Sequence, residues 1–239
     1  MSIPPREPQR QAVVLAGGLA TRLHPRTLKL PKALLPVAGR PFISWQLERI
    51  ASCGYSHVLL CIGHLGEQIR ELVGDGSMLG IHVSYSEDGP ELLGTAGALR
   101  RALDKLASTF LVTYGDSYLP FDYAAPLLDL QRHPEASGTM AVFANAGRWD
   151  VSNTAVSGEK VVRYEKGSAD PWLDHIDYGA MALRREVIAE LPLGEPLGLG
   201  VVQSRLARAG VLRAYRAKQR FFEIGSESGL RDLERMLQG

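Results

Sequence analysis

Near its start the chain carries Ala12-Val13-Val14-Leu15-Ala16-Gly17-Gly18, an uninterrupted apolar run that ends at two glycines. Such a run is typical of a strand in a parallel sheet, where helices cover both faces. In open α/β sheets ligands bind beyond the carboxyl ends of the strands. The run therefore predicts a fold class, and it predicts a site in the loop that follows.

Strand and helix patterns alternate after this loop. We predict helices over 42–53, 67–73, 98–106 and 123–131, with strands over 58–62, 81–85 and 110–114 between them. This alternation of strands and helices indicates crossover connections and a parallel sheet. The expected fold is α/β: a single Rossmann-like domain with a central mixed, mainly parallel sheet covered by helices on both faces.

The pattern changes at about residue 137. Strands are predicted over 139–143, 160–164, 178–183 and 212–215, and helices over 185–191, 201–209 and 230–237. We interpret 1–10 as an N-terminal tail and 11–239 as one domain, with a first half (11–136) and a second half (137–239).

The composition of the 239 residues excludes several classes of protein. With 45% apolar and 22% charged residues the chain is not of the disordered type. A net charge of +1 argues against a nucleic-acid partner, and no apolar run is long enough for a membrane span. Cys53 and Cys61 lie in apolar surroundings, as buried thiols of a reducing compartment would, so we expect a cytoplasmic protein.

The near-neutral total conceals a cationic segment. Residues 1–40 contain seven cationic side chains and one acid, and no acid occurs between Glu7 and Glu48. This segment includes the loop after the first strand, and its charge suits an anionic ligand.

Three features of that loop suit phosphate binding. The pair Gly17-Gly18 lets backbone N–H groups approach an anion, Arg22 offers a fork of donors, and Lys32 adds a point charge. A glycine turn flanked by ordinary solvated cations is the alternative interpretation. Neither the P-loop pattern nor G-x-G-x-x-G is present, which argues against a kinase or a dehydrogenase.

Taken together, the stretch from Leu15 to Lys32 and the segment Leu35-Pro36-Val37-Ala38-Gly39-Arg40-Pro41 closely resemble the signature of the sugar-1-phosphate nucleotidyltransferases. Later motifs occur in the family's order: Gly94-Thr95-Ala96-Gly97, Gly115-Asp116, Glu165-Lys166, Gly179, and the run from Phe221 to Ser226. The resemblance extends from about residue 10 to the end, and it implies a short form without the β-helical acyltransferase extension of some members.

The resemblance implies an enzyme that joins a nucleoside triphosphate and a sugar 1-phosphate into a nucleotide-sugar, with release of pyrophosphate. It implies a nucleotide-binding first half and a sugar-binding second half. Arg22 and Lys32 would be catalytic, Arg22 on the pyrophosphate and Lys32 near the α-phosphate. The nucleotide would contact Leu15, Ala16, Gly17, Gly18, Thr21, Glu87, Gly94 and Thr95, with Glu87 near the base edge.

The resemblance also implies Mg²⁺ as cofactor, held by Asp116 and Glu223. From sequence alone Asp116 could instead be a turn or cap residue. Glu223 stands where the family typically carries an aspartate, so the charge is kept on a longer side chain.

On the sugar side the matching residues are Glu165, Lys166, Asp177 and Gly179. A surface charge pair is the alternative for Glu165-Lys166, and Asp177 stands where relatives often carry an amide.

The form of the base loop, Gly94 to Leu99, resembles the mannose-type and heptose-type guanylyltransferases. We therefore expect GTP and a manno-configured hexose or heptose 1-phosphate. The alternatives are a UTP- or dTTP-dependent transferase and a non-catalytic regulatory subunit that binds a nucleotide-sugar. We expect neither nucleic acid nor membrane as a partner, and a homo-oligomer is left open.

Overall fold

The computed structural model describes residues 10–89 and 91–238, so the predicted tail lies outside the described residues except for Arg10. Its strands are β1 (Gln11–Ala16), β2 (Pro36–Val37), β3 (Arg40–Pro41), β4 (His57–Ile62), β5 (His82–Glu87), β6 (Thr109–Tyr114), β7 (Ser117–Tyr118), β8 (Gly138–Ala144), β9 (Thr154–Ser157), β10 (Lys160–Tyr164), β11 (His175–Arg184), β12 (Leu212–Arg216) and β13 (Phe222–Glu223). Its helices are α1 (Phe42–Ser52), α2 (Gly66–Val73), α3 (Gly94–Arg101), α4 (Ala124–Arg132), α5 (Arg185–Ala189), α6 (Leu199–Arg208) and α7 (Glu227–Gln238).

One nine-stranded sheet runs through both halves of the chain, in the order β5-β4-β1-β6-β11-β8-β12-β10-β9. Strands β5, β4, β1 and β6 pair in parallel. Strand β11 pairs antiparallel with both β6 and β8. The predicted α/β class with a mixed sheet is confirmed. Within the nine-stranded sheet the pairs among β5, β4, β1 and β6 and the β8–β12 pair are parallel, and the other pairs are antiparallel.

The sheet is covered on both faces, as the uninterrupted apolar run predicted. Helices α1, α2 and α4 contribute to one buried apolar cluster and helices α3, α5 and α6 to another. The side chains of Val13 and Val14 point to opposite clusters, and both residues are fully buried. A third cluster packs α7 against Val37 and Ile224, which fixes the last segment of the chain beside the first loop.

Several elements differ from the sequence-based prediction, among them α3, β9 and β11. Helix α3 begins at Gly94 instead of residue 98 and gives way to a 3-10 turn at Leu103–Lys105. Strand β9 was not predicted, because its four residues follow a stretch rich in turn formers. Strand β11 begins at His175, three residues earlier than predicted, since its first residues pair with β8 and β9.

Strands β1 and β6 end side by side, and the Gly115 N–H donates to the Leu15 carbonyl over 2.8 Å. The glycine loop and Asp116 therefore leave the sheet at the same edge. Among the described residues, no helix combines the length and apolar character needed to cross a membrane.

Candidate active site

A cavity of about 400 Å³ opens at the carboxyl ends of β1 and β6. The first loop supplies much of its wall. Further parts come from α3, from the segments after β5 and β6, and from Cys61, Tyr114 and Gly225. Its lining includes these predicted site residues: Leu15, Ala16, Gly17, Gly18, Thr21, Arg22, Lys32, Gly94, Thr95 and Asp116. One cavity thus gathers most of the residues predicted to bind the nucleotide.

The two predicted catalytic cations meet at one end of this cavity. Arg22 lies on a 3-10 turn, Thr21–Leu23, and Lys32 begins another, Lys32–Leu34. A side chain at Gly225 would stand 3.3 Å from an Arg22 nitrogen and 3.4 Å from Lys32 Nζ, so both cations lie over this glycine. Within the described ranges Arg22 has no acidic partner at ion-pair distance. Its guanidinium is available for an anion.

Two carboxylates flank these cations. Strand β13 pairs with β7, and the Ile224 N–H donates to the Asp116 carbonyl over 2.9 Å, which brings Glu223 beside Asp116. Lys32 Nζ donates to Asp116 Oδ2 over 2.6 Å. Burial, and then the charge of Asp116, raise the pKa of Glu223 to about 7. The carboxylates are therefore close enough to oppose each other's ionisation, and a divalent cation would relieve that repulsion.

The other end of the cavity is largely apolar, with one acid. Asp88 lines it, and one carboxylate oxygen lies 3.0 Å from where a side chain on Gly17 would begin. Gly17 is therefore needed for space. Glu87, predicted at the base edge, is not among the lining residues: its largely exposed side chain is paired with Arg70. The acid at this end is Asp88, one residue later.

A second, wider cavity of about 870 Å³ adjoins the first, because Thr95 and Tyr114 line both. Glu165 and Lys166, which follow β10, lie in its wall. The Glu165 carboxylate accepts a hydrogen bond of 2.6 Å from Arg163. In the part of the chain that the structure describes, Lys166 makes no ion pair.

Asp177 and Gly179, the other predicted sugar contacts, are not placed in the wide cavity. The Asp177 carboxylate accepts hydrogen bonds from the Gly179 N–H at 3.0 Å and from Gln203 Nε2 at 2.7 Å. The Tyr114 hydroxyl also contributes a hydrogen bond to this carboxylate. Burial raises the pKa of Asp177, although the hydrogen bonds and the charge of Lys166 act in the opposite direction. Asp177 and Gly179 instead line a small third cavity together with Tyr114, which also borders the first two cavities.

The start of α3 is joined to the second half of the chain. The Leu197 carbonyl accepts from the N–H groups of Ala96 and Gly97 at 2.8 and 3.1 Å, and Thr95 Oγ1 accepts from the Leu199 N–H at 2.7 Å. A side chain on Gly94 would meet the Leu197 carbonyl at 2.7 Å. The segment before α6 therefore fixes the start of α3, including Thr95, which lines both cavities.

Comparison with known proteins identifies the family of this chain. The family model described as nucleotidyl transferase matches residues 11–149, more than half of the chain. The chain belongs to this family. The match ends just after β8, so the family assignment rests on the half of the chain that carries the first cavity.

Curated relatives of this family member differ in their substrates. It is 34% identical to mannose-1-phosphate guanylyltransferase of Mycobacterium tuberculosis over 80% of this chain and 53% of the relative. It is 37% identical to N-acetylmuramate alpha-1-phosphate uridylyltransferase of Neisseria meningitidis, over 52% and 54%. The chain thus spans about half the length of these relatives.

Solved structures show the same fold. HddC from Yersinia pseudotuberculosis, crystallised with GMP-PN, superimposes with a TM-score of 0.80 at 22% identity over 96% of this chain and 100% of that one. The inositol-1-phosphate CTP transferase of T. maritima gives 0.76 at 19% identity over 96% of each chain.

Sequence reasoning missed Asp88, Tyr114 and the Leu197 segment. The alternation of side chains along β5 was the available signal for Asp88. Tyr85 and Glu87 share one face and contact the same Arg70, so the next residue, Asp88, is expected to face the other way. Tyr114 is the last residue of a predicted strand and offered no signal of its own. The Leu197 carbonyl acts through its backbone, which no residue type reveals.

Proposed function

We propose that this chain transfers a nucleotidyl group from a nucleoside triphosphate to a sugar 1-phosphate and releases pyrophosphate. The observation that carries the proposal is the junction of the two cavities. A cationic cavity with an acid pair adjoins a wider one, and among the described residues Thr95 and Tyr114 alone line both. Two substrates that must react with each other would meet at that junction.

The chemistry suits the residues present. The attacking group is an oxygen of the sugar phosphate, which is already ionised at neutral pH, so the reaction needs no general base. It forms a bond to the α-phosphorus while the bond to the departing pyrophosphate breaks in line. Arg22 would bear on the pyrophosphate and Lys32 on the α-phosphate, and neutralising charge while holding the two reactants accounts for the rate.

We further propose Mg²⁺ as the cofactor, held by Asp116 and Glu223. This ion takes hard oxygen donors and is commonly bound by one or two carboxylates together with substrate phosphates. The two neighbouring carboxylates fit this ion, because they repel each other when both are ionised and a divalent cation between them would offset that repulsion. When bound, Mg²⁺ would supply charge neutralisation at the phosphates. Lys32, now paired with Asp116, would be released toward the phosphate.

As substrates we propose GTP and a manno-configured hexose or heptose 1-phosphate. The form of the Gly94–Leu99 segment supports this choice, as does the 34% identical guanylyltransferase. Uridylyltransferases are also among the relatives, so UTP is the competing donor. The cytoplasmic location and a homo-oligomeric state stay predictions from the sequence.

A pyrophosphate-release assay tests the proposal. The full chain is incubated with Mg²⁺, each of GTP, UTP, dTTP, CTP and ATP in turn, and a panel of sugar 1-phosphates. We expect the highest rate with GTP and mannose 1-phosphate or a manno-heptose 1-phosphate. Tight binding of a nucleotide-sugar without turnover of any pair would contradict the enzyme and favour the regulatory subunit.

A further inference from the structure

The side chain of Gln46 is buried on the apolar face of α1, and it has no part in the chemistry described so far. The other buried residues of this helix, Phe42, Ile43, Leu47 and Ile50, are apolar, and Gln46 has no exposed surface. Burying an amide is unfavourable unless its hydrogen bonds are made. A leucine or a methionine would continue the apolar stripe of the helix, so packing alone does not explain an amide at this position.

Both N–H groups of this amide are bound to the turn that connects β6 and β7. Gln46 Nε2 donates to the Tyr114 carbonyl over 2.7 Å and to the Ser117 carbonyl over 2.9 Å. These two carbonyls stand on either side of Gly115 and Asp116. Because the two donors belong to one planar group, a single side chain sets the distance between the two ends of the turn.

Backbone bonds attach the interior of the same turn to two other segments. The Gly115 N–H donates to the Leu15 carbonyl over 2.8 Å, and the Asp116 carbonyl accepts from the Ile224 N–H over 2.9 Å. A side chain on Gly115 would stand 2.9 Å from the Leu15 carbonyl oxygen, so the turn lies directly against the end of β1. The Gln46 amide adds a third attachment, from α1.

The acceptor of this amide shows that the donors determine its placement. Gln46 Oε1 is buried and has no hydrogen-bond partner among the described residues. A buried acceptor without a partner lowers the stability of the fold. The chain thus keeps an amide in its core with the acceptor unused, and both donors are directed at the turn that carries Tyr114 and Asp116.

We propose that Gln46 is a positioning residue for the transfer reaction: its amide fixes the 114–117 turn and thereby holds the Asp116 carboxylate beside Glu223. Gln46 lines neither the first nor the second cavity, so it acts through the turn. The inference rests on the proposed function, because it gives α1 a part in forming the Mg²⁺ site. Residues that orient metal ligands in this way affect metal affinity and activity as well as stability.

The test compares Gln46→Met with the matched control Ile50→Ala. Methionine has a similar length and suits the apolar stripe, but it donates no hydrogen bond to the turn. Ile50 is fully buried one turn later on the same helix, so Ile50→Ala lowers the free energy of unfolding and leaves both bonds to the turn in place. Gln46→Glu is a second variant, because burial favours the neutral acid, which keeps one of the two donors.

Two properties are measured for each protein, after urea unfolding has given its stability. Binding of Mn²⁺ to the protein without substrates is followed by the paramagnetic resonance of the free ion, since Mn²⁺ takes the same oxygen ligands as Mg²⁺. Steady-state kinetics with pyrophosphate detection gives kcat, KM for both substrates and the Mg²⁺ concentration for half-maximal rate.

In Gln46→Met we expect the dissociation constant for Mn²⁺ to rise about tenfold and kcat to fall about 30-fold, with both KM values within about threefold of wild type. Gln46→Glu should lose about threefold in Mn²⁺ affinity, because one donor remains. Ile50→Ala should bind Mn²⁺ as wild type does, whatever its stability.

The outcomes separate this inference from the proposed function. Wild-type Mn²⁺ affinity in Gln46→Met, an equal loss in Ile50→Ala, or a wild type that binds no Mn²⁺ overturns the role of Gln46 while the transfer reaction stands. If Gln46→Met does not fold, the comparison of Gln46→Glu with Ile50→Ala decides in the same way. If wild type turns over no pair of substrates, the proposed function fails, and the Mn²⁺ titrations then support or overturn the inference by themselves.

Discussion

The two cavities are built in different ways. The first measures about 400 Å³, and its ion pair, between Lys32 and Asp116, lies inside it. The second measures about 870 Å³, and charged residues of its wall are paired outward, Glu165 with Arg163 and Arg205 with Glu190. Under the proposed function, the phosphate groups would meet charges that are already fixed in place, whereas selection of the sugar would depend on few contacts in a wide space.

The largest expected effect tests the first cavity. Arg22→Ala is expected to lower kcat/KM about 10³-fold, because a preorganised cation over the departing pyrophosphate is lost. Arg26→Ala is the control: Arg26 lies on the next turn and pairs with Glu227 over 2.8 Å. Steady-state kinetics with pyrophosphate detection measures both. Equal losses in the two variants would show that the loop acts only by its overall charge.

The second effect concerns the acid pair of the same cavity. Glu223→Gln is expected to lower kcat about 100-fold and to raise the Mg²⁺ concentration needed for half-maximal rate, since one ligand charge is removed. Glu227→Gln, four residues later on an exposed part of α7, is the control. A Mg²⁺ titration of the initial rate measures this. An unchanged Mg²⁺ requirement would remove Glu223 from the metal site.

A smaller effect is expected in the wide cavity. Lys166→Ala should raise KM for the sugar 1-phosphate about 30-fold, through loss of one charged hydrogen bond, and leave KM for the triphosphate unchanged. Lys160→Ala removes an exposed lysine at the start of β10, the strand that Lys166 follows, and should change neither KM. If Lys166→Ala alters KM for both substrates alike, the two substrates do not bind in separate cavities as proposed.

The smallest expected effect is on the free energy of unfolding, and it concerns Asp129 of α4, which bonds to two strands of the sheet. Hydrogen bonds from Arg213 at 2.8 and 3.1 Å and from Thr139 at 2.9 Å reach Asp129, which His133 also faces. Burial alone would raise the pKa of Asp129, but these bonds outweigh it and lower the pKa. Asp129→Asn should therefore reduce the free energy of unfolding at pH 7 by about 1–2 kcal/mol.

The pH dependence of that loss has a definite sign. Because the folded pKa lies below the unfolded value of 3.8, the stabilisation is present above pH 3.8 and disappears as the pH falls through the folded pKa. Urea unfolding between pH 7 and 3 should show the difference from wild type shrinking. Asp104→Asn, on an exposed turn, should match wild type throughout. A difference that grows toward low pH would contradict the assignment.

The sequence predicted the first cavity better than the second. Its glycines and cations lie within about twenty residues of each other, on a loop whose position follows from a fully apolar strand, so local pattern was sufficient. Of the residues predicted on the sugar side, Glu165 and Lys166 line the second cavity, whereas Asp177 and Gly179 line a small third cavity with Tyr114. That depends on how β11 and α6 pack, which no short motif encodes.

The pair Glu87 and Asp88 shows what the sequence alone could not predict. Glu87 and Asp88 are adjacent acids, and side chains on a strand alternate between its faces, so a shift of one residue exchanges the side of the sheet that each faces. The motif indicated the loop but not which acid enters the cavity. The helix after it begins at Gly94 because Leu197, about a hundred residues away, accepts from its first N–H groups.

By itself the sequence determined the α/β class, the loop that carries Gly17, Gly18, Arg22 and Lys32, and the family, because these follow from local periodicity and contiguous residues. Only the tertiary structure decided that Glu223 stands beside Asp116, that Asp88 faces the cavity, and that Thr95 and Tyr114 join the two cavities. Those are contacts between segments distant in sequence, and they form only when strands from both halves pair in one sheet.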